Sequence, residues 1–199
     1  MSLRWIIIVL FVIGAGHQLY QRSSKPIKQA DGVLVAAEPK QVNLDRGPVW
    51  KQDAYTLQAM AEFDIEARVL SKELYSFGRE ADLSPVDLAL GWGAMSDSAV
   101  LKQLDISQSN RFYYYRWQDQ PPRPPEEIAS HSANMHLIPA SESIAKQLKK
   151  VRPGEVVHLR GYLVNITTPD GWHWNTSMTR ADTGAGACEV FRVESVEVR

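Results

Sequence analysis

Residues 57–69 read LQAMAEFDIEARV, and their odd positions are all apolar: Leu57, Ala59, Ala61, Phe63, Ile65, Ala67 and Val69. Gln58, Glu62, Asp64, Glu66 and Arg68 occupy even positions, with Met60 as the one apolar exception. In an extended chain successive side chains point to opposite faces, so a period of two marks a long strand with one buried face. A helix would instead repeat its apolar residues every three or four positions.

Further strand and helix signals lie downstream of this stretch. Arg111 to Trp117 (RFYYYRW) is an aromatic strand with Tyr113, Tyr115 and Trp117 on one face, closed by the stiff run Pro121 to Pro125. Glu155 to Ile166 is a second long strand, turned at Thr168-Pro-Asp-Gly171 so that Trp172 to Ser177 returns as its hairpin partner. Cys188 to Val198 is the last strand. Phe191 and Val193 share a parity that Val196 and Val198 do not, and a bulge near Glu194-Ser195 would reconcile them. Ser84-Pro85-Val86-Asp87 predicts a short helix running towards Leu90, and Ser96-Asp97-Ser98 predicts a second one over Val100, Leu101 and Leu104. Ile144, Leu148 and Val151 predict an amphipathic helix over Ser141 to Val151.

Upstream the pattern changes twice. Residues 21–50 are punctuated by Pro26, Gly32, Pro39, Gly47 and Pro48 and read as an extended linker. Residues 5–16 (WIIIVLFVIGAG) carry no charge, and extension to residues 3–20 just reaches the length of a membrane-spanning helix, about 17 to 20 residues. The expected fold class is therefore α+β. A transmembrane helix at 3–20 and a linker at 21–50 lead to one globular domain at 51–199, built on a curled antiparallel sheet or small OB-like (oligonucleotide/oligosaccharide-binding) barrel with a few short helices. The matching location is the bacterial inner membrane, single-pass, with the domain leaning to the periplasmic side.

Composition narrows the function. The 199 residues carry 22 basic and 23 acidic side chains, and beyond residue 39 the count becomes 18 against 21, a net of −3. A mildly acidic domain is a poor match for nucleic acid, even with Arg111, Arg116 and Arg180 near the aromatics. The single cysteine, Cys188, excludes an internal disulfide. His131, His136, His158 and His173 show no metal-binding spacing, so neither a metal nor a cofactor is expected. Asp182-Thr-Gly-Ala185 matches the aspartic-protease signature, but no apolar strand precedes it and only 14 residues follow, so it reads as a glycine-rich turn.

Two further stretches carry a resemblance: Leu83 to Asp97 (LSPVDLALGWGAMSD), and Gly171 to Glu189 with its GWxWxTSxTRxDTGxGACE pattern. With Tyr162-Leu-Val164 and Asn134 to Pro139, they are similar to a family of small bacterial proteins with one N-terminal membrane span and one domain. The resemblance implies the anchor and the single domain, and brings no catalytic residues. The expected function is a membrane-tethered, non-enzymatic domain that binds a partner protein or an envelope ligand. The expected surface comprises Trp92, His136, Trp172, Trp174, Arg180, Asp182 and Glu189. The alternative is a hydrolase or thiol enzyme using Cys188, His173 and Asp182.

Overall fold

The computed structural model describes residues 5, 25–179 and 188–199. The alternating stretch lies within β3 (Tyr55–Leu74), a strand of 20 residues. Its residues Thr56 to Arg68 pair with β8 (Val156–Thr167), and Arg68 to Leu74 pair with β4 (Val86–Gly91). β4 lies antiparallel to β7 (Ser132–Pro139), β7 parallel to β10 (Glu189–Val198), and β10 antiparallel to β8. The ring β3–β4–β7–β10–β8 therefore closes, because β3 is long enough to serve both of its ends. Closure satisfies the backbone groups that an open sheet would leave at its edges. The ring has five strands with one parallel pair, and the helix Glu142–Lys150 lies between its third and fourth strands in chain order.

Register shifts on β3 determine which core its apolar row reaches. At Ala59/Ala61 two successive β8 partners, Val164 and Leu163, face each other's neighbours across the shift. Leu57 accordingly packs with Val164 and Ile166 in an outer cluster, whereas Ala61, Phe63 and Ile65 line the barrel interior. There Phe63 meets Phe191 edge to face at 5.2 Å. A second shift, at Val69/Ser71, sets off Leu70 against Met95, Val100 and Ile128. The third, at Val193/Ser195, lies where the change of apolar parity called for a bulge.

Helix α1 (Arg79–Leu83) joins β3 to β4, α2 (Ser98–Leu101) follows β4, and α3 (Pro125–Ser130) precedes β7. The longest described helix, α4 (Glu142–Lys150), begins where the Ser141 hydroxyl accepts from the Ile144 N–H, and sends Ile144 and Leu148 into the barrel core. The hairpin β5 (Asp105–Ser109) with β6 (Phe112–Arg116) stands apart as a two-stranded sheet, and β9 (His173–Trp174) pairs with the end of β8. Residues 25–52 lie along the barrel. The Ser96 hydroxyl accepts from the N–H groups of Leu34 and Val35, Val35 is buried, and β1 (Lys40–Asn43) and β2 (Val49–Gln52) pair with β3.

Two expectations are corrected. The stretch 3–20 falls outside the described residues apart from Trp5. Among the described residues no helix is long and apolar enough to cross a membrane. Helix α4 has 9 residues, where a span needs about 20. An α+β fold led by a transmembrane helix, with single-pass attachment to the inner membrane and a periplasmic domain, thus gives way to a sheet-rich domain whose apolar residues fill a barrel. The helix expected from Ser84 is instead β4, every residue of which is buried. The cap-like Ser84 and Asp87 are engaged with Arg111, and residues apolar on both faces suit a central strand.

Candidate functional site

On the face of β4 and β7 turned away from the barrel core, Asp87 and His136 are cross-strand partners. Asp87 is fully buried, and a buried carboxylate is tolerable only when its oxygens are paired. Arg111 Nη1 donates to Oδ1 at 2.7 Å, and His136 Nδ1 meets Oδ2 at 2.9 Å. A carboxylate only accepts, so Nδ1 carries the hydrogen and the Nε2 edge of the ring is left for other contacts. The ring plane is further restrained by Trp174, whose centroid lies 4.9 Å away.

Arg111 reaches Asp87 from the β5–β6 turn, where Asn110 and Arg111 adopt φ of +51° and +69°. Two successive left-handed residues make the tight turn that matches strand twist, a position that favours Asn and Gly over Arg. Backbone strain of this kind costs about 1 kcal/mol or more and persists only where surrounding contacts hold it. Here they are numerous. The guanidinium lies 3.7 Å from the centre of the Tyr75 ring and also donates to the Ser84 carbonyl at 2.9 Å. The Arg111 N–H donates to the Tyr75 hydroxyl, and its carbonyl accepts from Asn134 Nδ2. Burial pushes the Tyr75 phenol above its ordinary value, which keeps the hydroxyl available as an acceptor and donor.

Above this network opens a cleft of about 410 Å³. Glu80 of α1 borders it on one side, Arg111 and Phe112 of the hairpin turn on another. His173, Trp174 and Asn175 form the third wall, and His136 and Cys188 line it as well. It lies between the β3–β4 connection and the β8–β10 connection. At the rim, Arg79 pairs with Asp170 at 2.7 Å and sits over Trp172 at 5.4 Å. The Thr168 hydroxyl and Arg79 together hold the Asp170 carboxyl down to about 2.

The residues singled out from the sequence are distributed unevenly over this site. His136, Trp174, His173 and Cys188 line the cleft, and Trp172 stands beside Trp174 at 6.3 Å. Glu189 is buried at the start of β10. Trp92 is elsewhere: it is fully buried in the barrel core, and its indole donates to Glu38 at 2.6 Å. Arg180 and Asp182 lie outside the described residues. Cys188 Sγ is 3.9 Å from both Asn134 Nδ2 and the Arg111 carbonyl. Among the described residues no group of three or more His, Cys, Asp or Glu is placed to hold a metal.

Asp87, Tyr75 and Phe112 were not in the predicted set. A signal for Asp87 existed, since an acid inside the apolar run VDLALG must find a partner once that run is buried. Arg111 was read only as a flank to the aromatics. Those aromatics divide: Tyr115 and Trp117 pack towards Met95 and Ile128, Tyr113 is half-buried, and Phe112 and Tyr114 remain exposed. No protein-family model, no curated protein and no solved structure matches the chain, so the function has to be argued from this geometry alone.

Proposed function

We propose that this protein is a binding module whose ligand occupies the cleft over the Asp87–His136–Arg111 network. One observation carries the reading: a strained arginine and an imidazole line a cleft on the outside of a closed barrel, and a buried carboxylate beneath them fixes both. Core packing alone would be served at lower cost by apolar side chains on this face. Aromatic walls with a few convergent polar groups are the composition of sites that capture small ligands or short polymer segments. The test is a fragment screen read by nuclear magnetic resonance on the indole N–H signals of the six tryptophans. Binding at the cleft moves Trp174 and the His136 ring together and leaves Trp92 unmoved. Hits that scatter over the barrel, or that move Trp92 alone, overturn the reading.

A thiol-dependent reaction at the same place is the second reading, favoured because Cys188 and the Asp87-oriented His136 line one cleft. Its carboxylate and imidazole are Asp87 and His136 in place of Asp182 and His173. It requires iodoacetamide to alkylate Cys188 at neutral pH about tenfold faster than a free cysteine, whose pKa near 8.5 leaves it mostly protonated. A rate equal to free cysteine removes it.

A further inference from the structure

The lining of the cleft specifies a ligand class, and this step rests on the binding reading above. Two side chains in the walls are aromatic, Phe112 of the hairpin turn and Trp174 of β9. Between them the polar groups are of mixed type. Glu80 accepts, Asn175 both donates and accepts, the neutral His136 ring with its hydrogen on Nδ1 accepts at Nε2, and His173 does either according to tautomer. Among the described lining residues the one permanent cation, Arg111, has its charge offset by Asp87 at 2.7 Å. These described groups leave no net positive field to attract a phosphate or a carboxylate, and Glu80 opposes one directly. The rim cation Arg79 is likewise neutralised by Asp170.

An occupant that suits such a cleft presents an apolar face to the aromatic rings, carries no negative charge, and offers groups that both donate and accept hydrogen bonds. A neutral pyranose ring has all three properties: its C–H face stacks on an aromatic ring while its hydroxyls reach the polar side chains. An extended peptide is a poorer match, because capture of its backbone needs an open strand edge, and β9 offers only His173–Trp174. We propose that the cleft binds an uncharged saccharide, with one sugar ring stacked on Trp174 and its hydroxyls held by Asn175, Glu80 and His136.

The chain supplies its own reporter, since Cys188 is its only thiol and lines the cleft. The full chain is alkylated with iodoacetamide alone and in the presence of cellotetraose, maltotetraose, tetra-N-acetylchitotetraose, an acetylated tetra-alanine amide or octathymidylate. At least one of the three saccharides is expected to slow alkylation about tenfold and to quench tryptophan emission, and the peptide and the oligonucleotide are expected to do neither. Asn175→Ala, an exposed position whose loss leaves the fold intact, should weaken that saccharide about fivefold, the worth of one neutral hydrogen bond. Trp174→Ala should weaken it about tenfold or more. Protection by the peptide or the oligonucleotide, with none by the saccharides, overturns the sugar assignment and leaves the cleft as a binding site. If no probe protects Cys188 and the fragment screen also leaves Trp174 unmoved, both fall together.

Discussion

Asp87→Asn tests the network that underlies the cleft, because it keeps the shape of the side chain and removes its charge. Asp87 has no exposed surface, and three groups lean on it: Arg111 at 2.7 Å, His136 at 2.9 Å and the Ser84 hydroxyl at 3.3 Å. Removing one partner of a buried ion pair costs about 3–5 kcal/mol, since the other charge stays behind without compensation. The lower end applies here. The Arg111 side chain is 18% exposed, so water reaches it, and it keeps the Ser84 carbonyl and the Tyr75 ring. The asparagine amide must also turn its donor either to the guanidinium, which repels it, or to Nδ1, which accepts only once the imidazole hydrogen moves to Nε2. We expect a loss of about 3 kcal/mol in urea unfolding, which for a chain of this size corresponds to roughly 6–12 °C in Tm. The double variant Asp87→Asn with Arg111→Met should recover at least about 1 kcal/mol of that loss, because the stranded charge is gone and the methionine stem still packs on Tyr75. A single variant that loses less than about 1 kcal/mol, or a double variant whose loss equals the sum of the two single ones, refutes the view that Asp87 and Arg111 act as a pair.

Other parts of the fold make separate predictions. Ser96→Ala removes the hydroxyl that accepts from the Leu34 and Val35 N–H groups at 3.1 Å and donates to the Gly93 carbonyl, so stability should fall by about 1–3 kcal/mol. Amide exchange should quicken over residues 32–36 while β4 and β7 stay protected. Trp92→Ala should cost about 3–5 kcal/mol by leaving a cavity in the core, yet leave saccharide protection of Cys188 unchanged in the fraction that stays folded. Burial raises the Tyr113 and Tyr115 phenols above their ordinary value, so the folded chain holds protons there that the unfolded chain releases. Their contribution to stability is whole below pH 10 and shrinks as pH climbs beyond it, by up to about 1.4 kcal/mol per pH unit for each group. Ultraviolet titration should show these two phenols ionising at higher pH in the folded chain than in the unfolded one, and Tyr113→Phe should flatten the alkaline loss.

Local order was written plainly in the sequence wherever one face meets water. β3, β8, β6 and α4 follow from periodicity, and the Ser141 and Asp97 caps from residue type. The β4 segment was misread because a strand buried on both faces has no period to display, and its Ser-Pro-x-Asp start mimics a helix cap. The site was legible only in part for a related reason. Its aromatic and histidine members announce themselves by residue type, whereas Asp87 and Arg111, 24 positions apart, become significant only when the intervening chain folds a hairpin back on β4. The turn that does so is Asn-Arg, not Asn-Gly, so the usual hairpin signal is missing. The apolar stretch at 3–20 lies outside the described residues apart from Trp5.

The bulges connect the long alternating strand to the site. Had β3 kept one register throughout, its apolar row would stay on a single face, and Leu57 would compete with Phe63 for the barrel interior. The shift at Ala59/Ala61 frees the first turn of the strand to form, with Leu83, Ile166 and Val190, an outer cluster against which Trp172 and Trp174 pack. The shift at Val69/Ser71 re-aims the far end of β3, so that Glu73 pairs with Asp87 in register and Tyr75 emerges beneath the Arg111 guanidinium. Each wall of the cleft therefore depends on a bulge in a strand that never enters it. Deleting Met60 should restore strict pairing with β8 and leave Leu57 and Phe63 on their present opposite faces, because the lost residue shifts the alternating pattern by the one step that the bulge now supplies. The deletion variant should therefore keep both the interior row and the seat of Trp174 and stay folded, and a variant that unfolds or loses the outer cluster would refute the view that the shift serves to change the face of the apolar row.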